Sequence, residues 1–343
     1  MFGRLMNSYY YGKSGKGDYR KEDLPKNRWQ LFWEMLRVRL SGICRVNLMT
    51  CILWIPMMLV IMSLLINPIV SANDIRPVAD EATGNSYIAL VYDPVTNEAG
   101  EVVSEGLITP LSGVMSTFFL FLFPCILITG PAQAGMAYVM RNWARDEHAF
   151  PWSDFKDAVK DNWKQALGIS AITGLLPYIV YVAYNFYSQM QTDKGMFFML
   201  PQMLVIVVAV VWILALVFFY PLMVSYRMSF GQLIKNGFVL AIGRLPFVIA
   251  IRAAALLPAI IAIAVMFLSN SWLYALLALA AYYIFIGNGL SRFIFASFTN
   301  GVFDKFINSH IEGVQINRGL AQEEEDDFEE EEEEDMPSAN LPQ

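Results

Sequence analysis

Carboxylates are missing from the longest stretches of this 343-residue chain. Six apolar runs, at about 46–69, 111–129 (continuing to 140), 166–188, 200–223, 246–268 and 272–297, contain no Asp or Glu. A proton-driven carrier normally needs an intramembrane carboxylate, so this absence argues against one. Histidine is almost absent too. His148 and His310 are the only two, and neither has a second ligand at metal spacing. The three cysteines, Cys44, Cys51 and Cys125, lie in or beside apolar runs, which suggests neither a disulfide framework nor a zinc site. Charge is scarce overall, at 16% of residues against 56% hydrophobic. A soluble protein of this size carries roughly a quarter charged residues.

What is present explains the deficit. Each run has the 18 or more residues that cross roughly 30 Å of hydrocarbon at ~1.5 Å per residue. Repeated charge-free runs of this length disfavour the competing reading, a buried core in a large soluble protein. The expected fold is all-α: a polytopic membrane bundle of six transmembrane helices, with amphipathic cytoplasmic helices and a disordered acidic tail. The expected layout is a cytoplasmic N-terminal segment at 1–45, a transmembrane domain at 46–300 with an outside loop at 70–110, and a tail at 301–343. No removable signal peptide is expected, so the first span serves as its own insertion signal.

Basic residues set the expected orientation. Of 24 Lys and Arg, all but Arg76 and Lys194 fall on one side of the six-span layout. The positive-inside rule then puts both termini in the cytoplasm. The net charge of −7 comes from residues 323–335, which hold twelve acidic side chains. Such a block repels itself and cannot pack a core, though it can contact a basic partner surface.

Several segments carry local expectations. The residues Arg28 to Leu40 place Trp29, Phe32, Trp33, Leu36 and Leu40 on one helical face, for a helix in the headgroup plane or docked on the bundle. Tyr87–Tyr92, followed by Asp93-Pro94 and Asn97–Gly100, reads as a β-hairpin or a tether. From Ser153 to Gly168 the pattern is an amphipathic surface helix, with Asp154 as N-cap and Asp157 in its first turn. The pattern Phe155-x4-Lys160-x2-Trp163-x2-Ala166-x-Gly168 recurs as Phe230-x4-Lys235-x2-Phe238-x2-Ala241-x-Gly243, by duplication or by convergence of interfacial helices.

Gly130-Pro131 stands inside a run that would make a helix too long for the bilayer. Proline lacks an N–H and clashes with the carbonyl four residues back, so the span is expected to break there. Gly130, Ala134 and Ala137 would admit a neighbouring helix closely. Gly287-Asn288-Gly289, with Arg292 a turn later, is a second expected break. Two interrupted helices at similar depth read either as packing kinks or as a solute site. Arg252, about six residues into the fifth run, reads as a residue reaching toward headgroups or as an anion ligand. Gly12–Gly17 lacks the spacing of a phosphate loop.

The run Gly130-Pro131-Ala132-x-Ala134-Gly135-x2-Tyr138-Val139-x-Arg141, then Arg145-x-Glu147-His148-x-Phe150-x-Trp152-x-Asp154-Phe155 and Asn162-x-Lys164-Gln165-Ala166, resembles the YesL family of bacterial membrane proteins. Members are often encoded beside carbohydrate ABC importer components. The resemblance therefore implies an accessory or regulatory role in sugar uptake, beside importer permease or ATPase subunits, in the bacterial cell membrane. An independent small-molecule carrier is the alternative. The family brings no catalytic residues, and no cofactor, metal, nucleic-acid partner or enzymatic activity is expected. Partners are the lipid bilayer and the importer. The residues singled out are Gly130, Pro131, Ala134, Gly135, Arg141, Arg145, Glu147, His148, Asn288 and Arg292.

Overall fold

A computed structural model describes residues 24–79, 86–96, 102–104, 106–269 and 272–321. Residues 12–17 and the acidic block at 323–335 lie outside them. Among the described residues six helices are long and apolar enough to cross a membrane. In hydrocarbon every backbone N–H and C=O must be paired internally, and a helix does this within one segment.

The first, α1 (Arg28–Ser71), starts at Asn27, whose side chain accepts from the Gln30 N–H at 2.9 Å. It passes through a 3-10 turn at Ile52–Trp54 and a π-turn at Ile61–Ile66, and Pro56 and Pro68 follow directly after. Each proline removes one N–H from the ladder, and the tighter and wider turns absorb the gap. The segment expected to be a separate interfacial helix is thus the start of the first span. It docks through Leu31 and Met35, against a cluster that includes Met140, Trp143 and Phe293. The expected aromatic stripe is split. Phe32 and Leu36 pack on that cluster, while Trp29 and Trp33 are 68% and 52% exposed.

Between the first two spans lies a small sheet: β1 (Asp74–Ala79), β2 (Ser86–Tyr92) and β5 (Leu107–Pro110), antiparallel with β2 central. A separate ribbon joins β3 (Val95–Thr96) to β4 (Val102–Ser104). The strand expected at Tyr87–Tyr92 is β2, but its partners flank it on both sides rather than forming one hairpin. Its Ala89 and Leu90 are fully buried, and the Tyr92 hydroxyl donates to the Pro68 carbonyl at 2.9 Å, tying the sheet to α1.

The remaining helices are α2 (Leu111–Trp143), α3 (Ser153–Lys194), α4 (Met199–Ser225), α5 (Phe230–Gly243), α6 (Leu245–Leu268) and α7, which runs through Trp272–Tyr282, a π-turn at Tyr283–Gly287, and Asn288–Phe306. The amphipathic stretch from Ser153 is continuous with the third span rather than a separate surface helix. Asp154 is not its N-cap: it lies in the first turn, and its carboxylate accepts from the Phe150 N–H at 2.9 Å. Ser229 and Gln232 form a capping box on α5. Residues 301–321, placed in the tail by sequence, finish α7 and pack back on the bundle, where the Ala321 N–H reaches the Pro25 carbonyl at 3.0 Å.

The buried core lies at the end of the bundle away from the sheet. In α4 it runs from Trp212 to Met223, and in α7 from Gly287 to Asp304. That same end carries most of the basic residues and is called the basic end below.

Candidate functional site at the basic end

Both expected helix breaks are closed by side chains of the protein itself. Helix α2 runs unbroken through Gly130-Pro131. Pro131 cannot bond the carbonyl four residues back, which belongs to Leu127. The Ser170 hydroxyl of α3 lies 3.0 Å from that carbonyl and shares its single proton between it and the Ala166 and Leu167 carbonyls of its own helix, at 3.0 and 3.2 Å. Gly130 makes the approach feasible, because a Cβ there would stand 2.2 Å from Ser170 Oγ and 2.6 Å from the Ala166 carbonyl oxygen. Gly135 plays a similar part against Phe155 and Val159, and Ala134 and Ala137 are buried in the same seam. The expected close approach of a neighbouring helix is therefore present, without the expected break.

At Gly287-Asn288-Gly289 the helix widens into a π-turn rather than stopping. Asn47 of α1, 1% exposed, fills the widened turn. Its amide donates to the Tyr283 and Ile284 carbonyls at 3.0 and 2.6 Å, and its carbonyl accepts from the Gly289 N–H at 2.8 Å. Asn288 itself is half-buried beside this contact. Arg292 turns inward, its guanidinium 4.8 Å from the Tyr220 ring centroid and 5.9 Å from that of Phe295. Arg252 also turns inward, over Phe295 at 5.4 Å, instead of reaching out to headgroups.

The polar residues after α2 meet Arg39 of α1 and Arg318 of the segment that follows α7. Asp146 adopts a positive φ of 56° that turns the chain back, and the Glu147 N–H bonds the Asn142 carbonyl at 2.8 Å. Burial raises the Asp146 carboxyl above the usual range; Arg39, 3.9 Å away, opposes this, and Glu34 adds to it. Arg145 is buried with its Nε 3.5 Å from Glu147, whose Oε1 also accepts from Arg318 at 2.5 Å. His148 does not join them: it is exposed, with its ring edge-on to Phe150. The Arg141 carbonyl accepts from the Asn300 amide at 3.3 Å.

A second network, invisible in the sequence, locks the C-terminal segment down. Arg28 donates to Asp304 and to Asn317, each at 2.7 Å. Asn308 donates to Asp304 at 2.5 Å and accepts from the Tyr226 hydroxyl at 2.7 Å. Burial pushes Tyr226 up to about 12, so it stays a neutral donor. Nothing short-range in the sequence links these residues, which lie up to 289 positions apart.

Beside both networks opens a cleft of about 760 Å³ between the first turns of α3 and the α4–α5 connection. Asp157, Asp161 and Lys164 line one wall, and Ser225, Tyr226 and Arg227 the other. Gln165 bridges them by donating to the Met228 carbonyl at 2.7 Å. The buried Ser225 hydroxyl has no partner among the described residues. Among those residues no group of three His, Cys, Asp or Glu is placed to hold a metal. The cleft walls present side chains of both charge signs together with hydrogen-bonding groups.

Fold and site together define a multi-pass membrane protein whose polar contacts concentrate at one end of the bundle. Residues 113–184 match the family described as "Protein of unknown function, DUF624", a domain that YesL proteins carry. The match covers the α2–α3 pair closed by Ser170 and Leu127. No curated protein and no solved structure matches the chain.

Proposed function

We propose that this chain is a non-enzymatic accessory subunit of a carbohydrate importer in the bacterial cell membrane, with both termini and the cleft on the cytoplasmic side. The observation that carries this reading is the closure of both helix interruptions by Ser170 and Asn47. A carrier built on interrupted helices leaves their backbone groups for solute; here the protein occupies them. The mixed-charge cleft, by contrast, is open and faces the side where an importer's permease loops and ATPase subunits lie. The concentration of Lys and Arg on that side supports the orientation.

The test is capture of the tagged full chain from native membranes after cross-linking, alone and as Asp157→Lys/Asp161→Lys. Importer permease or ATPase subunits should accompany the wild type and be lost with the variant, and deletion should lower sugar uptake. No partner together with undiminished uptake would overturn the proposal. Solute flux through vesicles holding the purified chain alone would replace it with a carrier.

A further inference from the structure

We propose that Arg252 and Arg292 form a clamp for a phosphate oxyanion within the bundle, at the seam between α6 and α7. Both guanidinium groups lie within 6 Å of one ring centroid, that of Phe295, at 5.4 and 5.9 Å. Neither has an ion-pair or hydrogen-bond partner among the described residues, and the Arg252 Nε is buried without an acceptor. Helices α4 and α6 contain no Asp or Glu, and the one acid of α7, Asp304, is taken by Arg28. Two like charges that share one ring in an apolar site repel each other and lose hydration, and ring faces compensate only part of that. A phosphate offers several acceptor oxygens and matches the planar guanidinium fork.

The surroundings point to where the phosphate comes from. One turn either side of Arg252, Val248 and Ala255 are buried, whereas Ile249 and Leu256 are 50% and 40% exposed. Arg252 therefore stands on the edge of the seam, between protein and lipid. It lies seven residues into α6, about 10 Å along the helix from its basic end. Beyond it Ile260 and Ile263 continue an exposed apolar face along which acyl chains can lie. The same clamp chemistry suits an anionic phospholipid or a soluble phosphate ester.

The experiment is native mass spectrometry and thermal unfolding of the purified full chain in zwitterionic detergent. The probes are phosphatidylglycerol, phosphatidylcholine and glycerol phosphate. Phosphatidylglycerol should leave persistent adducts and raise the unfolding temperature, and phosphatidylcholine should not. Arg252→Gln/Arg292→Gln should retain phosphatidylglycerol roughly tenfold less well or worse, having lost two charge-assisted donors. Arg244→Gln, whose guanidinium stacks on Phe306 nearer the surface, should behave as wild type. Protection by glycerol phosphate alone would support the clamp and assign it to a soluble ester. Equal adducts from both lipids with no effect of glycerol phosphate on the wild type would overturn it, as would undiminished adducts in the double variant. The lipid comparison uses wild-type protein and does not depend on the variants folding.

Discussion

Replacing Asn47 by leucine would keep most of the side-chain volume and remove three hydrogen bonds at once. The Tyr283 and Ile284 carbonyls would lose their donor and the Gly289 N–H its acceptor. Interhelical hydrogen bonds measured in membranes average about 0.6 kcal/mol, which gives about 2 kcal/mol for three. Asn47 is fully enclosed, so water cannot replace the lost partners, and the upper figure of about 1.5 kcal/mol per bond would give about 4–5 kcal/mol. The expected loss is therefore about 2–5 kcal/mol. Reversible unfolding of the full chain in mixed micelles under increasing dodecyl sulfate measures it. Amide exchange at Gly289 should accelerate in the same variant. A change below about 0.5 kcal/mol, the range of an ordinary surface substitution, would refute the view that Asn47 holds the last span to the first.

Gly130→Ala should destabilise by about 1–3 kcal/mol or more, since its Cβ would collide with the Ala166 carbonyl oxygen, which no rotamer change can move. Ser170→Ala leaves only the Leu127 carbonyl unpaired and should lose about 1 kcal/mol in the same unfolding assay. Arg28→Ala leaves Asp304 buried and short of a cation; breaking a buried pair costs about 3–5 kcal/mol, and the partial exposure of Arg28 reduces this to about 2. Adding Asp304→Asn to that variant should restore much of the loss, read from a double-mutant cycle. Tyr226→Phe should lose about 1 kcal/mol with the bond to Asn308. The Tyr226 hydroxyl is raised in the folded state, so its contribution is complete below pH 10, its ordinary value, and fades as pH climbs through about 12. The phenylalanine variant should lack that fading in alkaline titration.

The six spans were legible because a long apolar run without carboxylates is a property of each segment alone. So were the small residues of α2, because close packing needs them whatever the partner. The helix breaks were misread for a definite reason. Local chemistry correctly says that Pro131 frees a carbonyl, but the group that takes it, Ser170, lies 43 residues away. The π-turn is answered by Asn47, more than 230 residues upstream. The aromatic stripe of α1 was legible only in part, since Phe32 and Leu36 pack on the bundle while Trp29 and Trp33 stay exposed. Trp29 and Trp33 have the hydrophobicity expected of a docked face, yet the docking surface accepts Leu31 and Met35. The pairing of Glu147 with Arg318 was equally hidden, since both charges sit in segments that sequence treats as separate solvated loops.

These long-range answers share one location, and lipid explains why. Apolar side chains gain little by leaving lipid for one another, so spans associate through close backbone approach and hydrogen bonds between helices. Along α2 and α3 the means for that are Gly130, Gly135, Ala166, Ser170 and Gly174, and they contact the facing helix directly. Gly174 lets Phe123 come within 3.1 Å of where a Cβ would be. Toward the sheet these small and polar residues give way to exposed Leu, Ile, Val and Phe such as Ile179, Val182 and Phe186 on α3, and the helices are joined there by long hydrogen bonds, Tyr181 to the Ser112 carbonyl at 3.5 Å and Gln202 to the Tyr184 carbonyl at 3.4 Å. The chain is thus stitched at its basic end and looser at the other. A partner that docks at the cleft meets the stiff end, where three-dimensional placement of Asp157, Asp161, Lys164 and Arg227 is secured by the helices behind them. Within that stitched region Arg252 and Arg292 are two cations brought inward with no ion-pair or hydrogen-bond partner among the described residues, which is why an acceptor is sought outside the chain.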